Sequence, residues 1–577
     1  MTVPAMIAKT DFAPLPRGFQ MRPTGIFREV SGSEGKTEWV WLCSHLRVLS
    51  LPRDPLGTGW GRLVEVSDPD GRLHRWSIPA RMFAGDGAEV RAGLLDRGMN
   101  LASGRQARDA LMDLLQRWQP PARAVTTDRL GWTDETCTAF LCGDGRVIGA
   151  GDVVYQNETT LAAATEMTAA GTVEDWRDAV AAQCTGNALM ILAVSLAFAG
   201  PLLEPLGLDG GGIHLRGASS RGKSTVQRVA VSVWGSPRFL HSWRATANGL
   251  EGVAAASNST LLALDELAEI SGREAGAAAY MLANGTGKAR ANRKGAARAA
   301  ARWRVMVLSS GEITLADKMA EAGARPAAGQ EVRLLDVAAD GRAHGAFDTL
   351  NGVRDGAAFA DHLRAATETH YGTAGTAFVA AFLDNRDAAT KTARETMALF
   401  RELASQRFAM KTIEGQCIRA IDRLGIIVAA GELATAWGLT GWGRGAALDA
   451  ALDVLGGWIE GRGGSGPAEA REAVARVRAF LVAHGDARFE PVTKAIDARP
   501  VNNRAGWREG VTFYIAADPW REIHKGADPF RAARYLHDAG FLTLGDGKNL
   551  TIRAPRSIEG RPRLYAVNAD ILGAGDD

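Results

Sequence analysis

The chain of 577 residues is poor in cysteine, in tyrosine and in long apolar runs. Its five cysteines, Cys43, Cys137, Cys142, Cys184 and Cys417, are scattered. Only Cys137 and Cys142 lie close, and no histidine stands near them. This spacing argues against a disulfide framework and a zinc site, and it fits a reducing cytoplasm. No basic segment leads into an apolar core at the N-terminus, so no signal peptide is expected. The most apolar stretch, ALMILAVSLAFAGPLL at 188–203, is short for a bilayer and broken by Gly200-Pro201. A buried helix is the expectation there, with no membrane partner. Internal repeats and long low-complexity tracts are also missing. Acidic residues are absent from Ala275 to Gly311.

What remains is a globular composition, 46% hydrophobic and 23% charged, with a length that suggests about three or four domains. The formal net charge of +2 hides local asymmetry. One motif dominates: Gly217-Ala218-Ser219-Ser220-Arg221-Gly222-Lys223-Ser224-Thr225 fits G-x-x-x-x-G-K-[ST], the phosphate-cradling P-loop. Strand-like Gly212–Arg216 precedes it, and a helical pattern over 226–234 follows. In that context loop N–H groups and a helix N-terminus face phosphate oxygens. Lys223 is placed to reach the β- and γ-phosphates of ATP, and Ser224 to hold Mg²⁺.

Thr260–Glu266 is an apolar run ending in Asp265-Glu266. Continuous apolar runs mark buried parallel strands, and ligands bind at the C-terminal ends of such strands. Asp265 is then a second group for the Mg²⁺ shell, and Glu266 orients or deprotonates the attacking water. Alone, the pair also fits a helix entry; about forty residues after a P-loop it carries more weight. A third strand, Val305–Leu308, leads to Ser309-Ser310-Gly311-Glu312. Ser309 or Ser310 is a candidate sensor of the γ-phosphate, with Ser310 preferred; either also suits a turn.

Residues from about 20 to 85 read as strands, with a turn at Asp68-Pro69-Asp70-Gly71. Residues 104–118 read as an amphipathic helix with Ala107, Leu111, Leu114, Leu115 and Trp118 on one face. A second β patch runs from Gly131 to Tyr155. Helices are expected at 389–407 and 412–431. The glycine-rich stretch Glu460–Pro467 is the clearest linker. Beyond it, Pro529–Gly540 and strands at 541–544 and 564–567 suggest a winged helix. The expected organisation is multi-domain α/β: an N-terminal α+β, β-rich region over 1–170, a P-loop ATPase core over 171–350, a helical region over 351–460, a linker over 461–468 and a winged-helix-like domain over 469–577.

Between the acidic strand and the serine strand lies Asn284–Gly295, which holds Lys288, Arg290, Arg293 and Lys294. A block of like charge calls for an anionic partner, and flanking glycines suit a hairpin beside the nucleotide site. Lys288, Arg290, Arg293 and Lys294 are candidate DNA contacts; the alternative is a solvated basic loop. The wing region carries Lys548, Arg553, Arg556, Arg561 and Arg563, a charge that suits DNA, while winged helices also dock proteins.

The order of P-loop, Asp-Glu strand, basic hairpin and short polar strand resembles AAA+-type helicases of the superfamily 3 and MCM kind. More closely, the chain resembles the family labelled domain of unknown function 927, found in phages and integrated mobile elements. The strings that carry this are Leu130-Gly131-Trp132, Asp144–Gly149, Gly212–Gly217, Trp243–Glu251, Asn284–Lys288, Ser310-Gly311-Glu312, Gly329–Arg333 and Gly431–Ala434. The resemblance implies an AAA+-type core working as a ring, a homo-hexamer or other ring oligomer, on single-stranded DNA. It implies a replicative helicase or translocase, with a primase or loading protein as a possible partner. A ring ATPase needs an arginine supplied in trans, and Arg325 and Arg333 are the candidates. Asn248 and Glu251 match a family string, yet their spacing fits a capping box at a helix start, which is the reading preferred. Two other classes stay open: an ATP-hydrolysing switch or assembly factor without unwinding, and the helicase part of a primase–helicase system.

Overall fold

Alternating runs near the N-terminus and continuous apolar runs near the middle sort the strands into half-exposed sheets, antiparallel or mixed, and one buried, wholly parallel sheet. The computed structural model describes residues 14–31, 36–156, 166–288, 290–291, 297–298, 300–323, 333–408, 415–461, 468–493 and 501–573. The chain divides into two units. The first runs to Glu402 and includes Asp422–Val454; the second holds Leu403–Ile421 and everything from Leu455 onward.

In the first unit, β1 (Phe19–Arg22), β2 (Gly25–Ser31) and β3 (Thr37–Cys43) form an antiparallel sheet. Next come β4 (Leu46–Arg53), β5 (Gly61–Ser67), β6 (Leu73–Pro79), α1 (Ala88–Asp96), α2 (Arg105–Arg117), β7 (Arg123–Thr127), β8 (Gly131–Trp132), β9 (Ala139–Leu141), β10 (Val147–Gly149) and β11 (Val153–Tyr155). Strands β11-β7-β4-β5-β6 make one sheet and β10-β9-β8 another. The apolar stripe of α2, with Leu111, Leu114 and Leu115, packs on Ile26, Leu42, Val48, Val64 and Ile78.

The chain continues through α3 (Val173–Trp176), α4 (Ala188–Ala199), α5 (Leu203–Leu206), β12 (Gly211–Arg216), α6 (Lys223–Val231), β13 (Leu240–Ser242), α7 (Ala247–Ala256), β14 (Leu261–Asp265), α8 (Gly272–Asn284), β15 (Arg290–Ala291), β16 (Ala297–Arg298), β17 (Met306–Gly311), α9 (Leu315–Ala320) and β18 (Leu334–Ala338). The order β13-β14-β17-β12-β18 is parallel throughout. Ala188–Leu206 has the length and apolarity of a membrane span, but 83% of its most apolar window is buried in the protein. It contacts α6, β14 and β17, so its hydrophobicity is used as core. Helices α10 (Gly356–Thr369), α11 (Thr373–Asp384), α12 (Arg386–Arg407), α13 (Gly415–Ala436) and α14 (Ala446–Gly461) form the helical region.

In the second unit, α15 (Ala468–His484), β19 (Phe489–Pro491), β20 (Gly506–Glu509), β21 (Thr512–Ile515), α16 (Ala517–Ile523), α17 (Pro529–Asp538), β22 (Leu542–Thr543), β23 (Ile552–Arg553) and β24 (Arg563–Asn568) surround a core of Val477, Leu481, Phe513, Trp520, Leu536 and Val567. Asp528 caps α17 by accepting from the Phe530 and Arg531 N–H groups, with Pro529 at the first helical position. Strands β22 and β24 pair antiparallel. The inner residues of the expected linker, 462–467, lie outside the described residues.

Candidate nucleotide cleft and basic hairpin

Parallel strands bring their C-terminal ends to one edge of the sheet, and the crevice outside that edge is where α/β sheets bind ligands. Here that edge collects the loop after β12, Asp265 at the end of β14 and Ser310 near the end of β17. Strand β17 lies between the other two. A cleft of about 590 Å³ opens there, lined by Ser219, Ser220, Arg221, Gly222, Lys223, Ser224, Thr225, Asp265 and Glu266. Gly217 and Ala218 complete the loop. Gly222 sits at φ +94°, and a Cβ there would approach the Phe347 ring to 2.9 Å, so the turn into α6 needs glycine.

Lys223 is 7% exposed. Its Nζ donates to the Gly217 and Ala218 carbonyls at 2.6 and 2.7 Å. The ammonium therefore already lies within the loop. Ser224 Oγ donates to Asp265 Oδ2 at 3.3 Å, which puts a hydroxyl and a carboxylate together at the first turn of α6. Glu266 follows in a left-handed conformation, φ +60°. A non-glycine residue held there is uncommon and clusters at functional sites.

The two candidate serines separate by strand alternation. Both are inside β17 rather than in a turn after it. Ser310 Oγ donates to Asp265 Oδ1 and accepts from the Glu266 N–H at 3.3 Å. Ser309 points to the other face. Its Oγ accepts from Trp243 Nε1 at 2.9 Å and meets His214 Nδ1 at 2.9 Å. His214 Nε2 lies 2.9 Å from the Ile313 carbonyl, so that nitrogen carries the proton and Nδ1 accepts from Ser309. Burial pushes the His214 pKa down, consistent with this neutral imidazole.

Other residues of the cleft or bonded to its loop escaped the sequence reading. Asp340, just past β18, accepts from the Ala218 N–H at 2.9 Å. That hydrogen bond is the main reason its carboxyl is held below the ordinary range. Like Asp265, it follows a parallel strand at the ligand edge; recognising β18 would have flagged it. His344, Asp361 and Arg364 line the far wall of the cleft, and no motif marks them.

The basic segment does form an antiparallel ribbon. β15 pairs with β16, with Arg290 opposite Arg298. Thr286 bridges Arg302, and the Gly287 N–H donates to the Ala301 carbonyl at 2.9 Å. Lys288 is exposed at its base; Arg293 and Lys294 lie outside the described residues. The expectation that this hairpin sits beside the nucleotide is corrected. Helix α8, 13 residues long, carries the chain about 20 Å across the sheet. The hairpin therefore leaves from the edge opposite the cleft, where Trp303 and Val305 enter β17.

Arg333 is at that opposite edge too, directly before β18, and its guanidinium stacks 4.2 Å from the Tyr280 ring centroid. It does not reach the cleft of its own chain. Arg325 lies outside the described residues. The capping reading of Asn248 and Glu251 is also corrected. Thr246 caps α7, its hydroxyl accepting from the Gly249 N–H at 3.2 Å. Glu251 is instead 6% exposed and accepts from the Lys288 N–H at 3.3 Å. It fastens the hairpin base to α7.

The string Leu130-Gly131-Trp132 docks on the turn before β14. Asn258 Nδ2 donates to the Leu130 carbonyl at 2.6 Å, and its Oδ1 accepts from the Arg304 N–H at 2.8 Å. The Trp132 N–H donates to Ser259 Oγ at 3.3 Å, and Trp132 Nε1 to the Pro201 carbonyl at 2.7 Å.

Comparison with known proteins agrees with this architecture. Residues 19–302 match the family described as Domain of unknown function (DUF927), so the family resemblance holds over that span. Among solved structures, one named "SCCmec type IV Cch - active helicase" aligns with a TM-score of 0.69 at 17% identity. The alignment covers 96% of this chain and 99% of that one. At that identity the likeness is one of fold. No curated protein matches the chain.

Proposed function

We propose that the protein is an ATP-driven DNA helicase or translocase of a phage or integrated mobile element, working on single-stranded DNA as a ring, most simply a homo-hexamer. The observation that carries this is the path of the chain. The basic hairpin at the far edge is joined to the nucleotide edge by α8 on one side and β17 on the other. Helix α8 starts a few residues after Asp265-Glu266, and β17 ends at Gly311, one residue past Ser310, which is bonded to Asp265. A change in how Asp265 is held therefore has two short struts by which to reach the hairpin. The family match and the name of the structural neighbour are consistent with helicases of mobile elements.

In this reading residues 171–350 are an AAA+-type P-loop core and 469–577 a winged-helix domain. Gly217–Thr225 would hold ATP, with Lys223 leaving its two carbonyls for the phosphates. The hydroxyl of Ser224 and the carboxylate of Asp265 suit Mg²⁺, which neutralises phosphate charge when bound. Glu266 orients the water and takes its proton, and Ser310 holds Asp265 in place. Arg325 or Arg333 acts on a neighbour's site. The free, buried cysteines fit a cytoplasmic protein.

The test is single-strand stimulation of the ATPase in the parent and in a Lys288, Arg290, Arg293, Lys294→Ala variant. The variant should keep basal turnover and lose stimulation and fork unwinding. Its salt slope for single-strand binding should flatten by roughly 0.7 per lost phosphate contact. Equal unwinding by both proteins would overturn the hairpin's role and favour a nucleotide switch.

A further inference from the structure

Outside the cleft and hairpin, the chemistry concentrated most clearly is on the small N-terminal sheet. Register pairs Gln20 with Phe27, Phe27 with Trp41 and Glu29 with Trp39. Residues paired across strands, and those two apart along a strand, share a face. One face of β1-β2-β3 therefore presents Gln20, Arg22, Phe27, Glu29, Trp39 and Trp41. The opposite face is the one that puts Ile26 and Leu42 into the core, with Phe19 and Met21 packed against it. On the outer face the Arg22 guanidinium lies 4.5 Å from the Phe27 ring centroid and 5.7 Å from that of Trp39. Gln20 Oε1 accepts from Arg22 Nε and Nη2 at 3.2 and 3.0 Å, which fixes the cation over the rings. The three aromatic rings are only partly covered. The motif recurs on the neighbouring sheet. Trp60, 41% exposed, has Arg53 at 5.8 Å and Arg123 at 5.9 Å.

Aromatic rings left partly in water beside held guanidinium groups are costly as mere surface. They are what unpaired bases and their phosphates require together: a ring face for each base and a cation for the backbone. We infer that the outer face of β1-β2-β3, with Arg22, Phe27, Trp39 and Trp41, is a second binding surface for single-stranded DNA. Duplex DNA fits it poorly, because its bases are already stacked. Among the described residues Glu29 is the one carboxylate on the face, and its position opposite Trp39 leaves the Arg22–Phe27 end for the phosphate. The assignment takes the DNA substrate from the proposed function but does not depend on the hairpin.

The test uses the full chain and fluorescein-labelled oligo(dT), with the matching duplex as a control. Trp39→Leu keeps apolar bulk and removes the ring; it should weaken single-strand binding about tenfold. Trp39→Phe restores a ring and should bind nearly as the parent does. Arg22→Ala should lower the salt slope by about 0.7. Basal ATPase, thermal unfolding and duplex binding should not change. If Trp39→Leu unfolds the sheet, Phe27→Leu carries the same expectation. Parent-like oligo(dT) binding by a folded Trp39→Leu would overturn the proposal and leave the face to a protein partner. So would an equal loss in Trp39→Phe. Repeating the series in the Lys288→Ala, Arg290→Ala background separates the two readings. If only the sheet variants lose affinity, the surface stands and the hairpin role falls.

Discussion

Neighbouring serines on β17 should give opposite phenotypes. Ser309→Ala removes the acceptor of the Trp243 indole N–H and the hydroxyl that donates to His214 Nδ1. All three side chains are essentially inaccessible to water. Each orphaned buried polar group costs about 1–3 kcal/mol, so the loss is about 2–6 kcal/mol. For a domain of this size a loss of about 2 kcal/mol already lowers the unfolding temperature by roughly 4–8 °C. Ser310→Ala loses one hydrogen bond to Asp265 and one from the Glu266 N–H. Its stability cost is about 1 kcal/mol. Removing the group that orients a metal-binding carboxylate, however, weakens metal affinity or activity by about 10–100-fold. Calorimetry and a Mg²⁺ titration of ATPase activity read the two effects separately. Ser309→Ala should melt early with an ordinary Mg²⁺ requirement, and Ser310→Ala should melt nearly normally but need far more Mg²⁺. If Ser309→Ala shifts the Mg²⁺ requirement and Ser310→Ala does not, the assignment of faces to functions is refuted.

Lys223→Ala should cut ATP turnover by orders of magnitude, and Glu266→Gln should bind ATP yet hydrolyse it poorly; normal turnover in Lys223→Ala removes the site. Mixing Arg333→Ala with Lys223→Ala subunits, and Arg325→Ala likewise, should restore part of the activity if the arginine acts across a ring interface; mixtures as inactive as their components count against it. Gly131 has φ +74°, and a Cβ there would stand 2.4 Å from the Asn258 carbonyl oxygen; Gly131→Ala should cost about 2–5 kcal/mol of strain and overpacking, read as faster amide exchange in β14. His524 is buried beside Trp520, and burial pushes its pKa down to about 4. The folded state thus disfavours the imidazolium. The stability it contributes is full above the unfolded value near 6.5 and is lost as pH falls from there toward 4. Amide exchange over 468–573 should accelerate across that window, and His524→Phe should abolish the slope.

The parallel strands were legible because burial on both faces leaves an unbroken apolar run, as in Leu261–Leu264. The P-loop was legible because its chemistry fixes residue types at fixed spacing. Which serine faces Asp265 was not legible. Alternation decides it only once the extent of β17 is known, and the strand extends through both serines to Gly311. The helix cap at Thr246 was missed because Asn248 and Glu251 imitate a capping pair two residues further on. Glu251 is needed elsewhere, by a backbone N–H 37 residues away. The position of the hairpin was misread because sequence order does not say that α8 crosses the whole sheet. Asp340 reaches the phosphate loop, and Arg364 the cleft, through tertiary contacts alone.

The seat of Leu130-Gly131-Trp132 bears on how this chain can be divided. A fragment starting at residue 171, where the nucleotide core begins in sequence, would leave Asn258 Nδ2, Ser259 Oγ and the Pro201 carbonyl without their partners. It would also uncover the apolar contact of Leu130 and Leu141 with Ala256. The same asparagine holds Arg304, the residue leading from the hairpin into β17. The first 170 residues are thus no detachable cassette. A graft onto another core would have to bring the Asn258-Ser259 turn with it, and inheritance of the region should follow that turn rather than the P-loop.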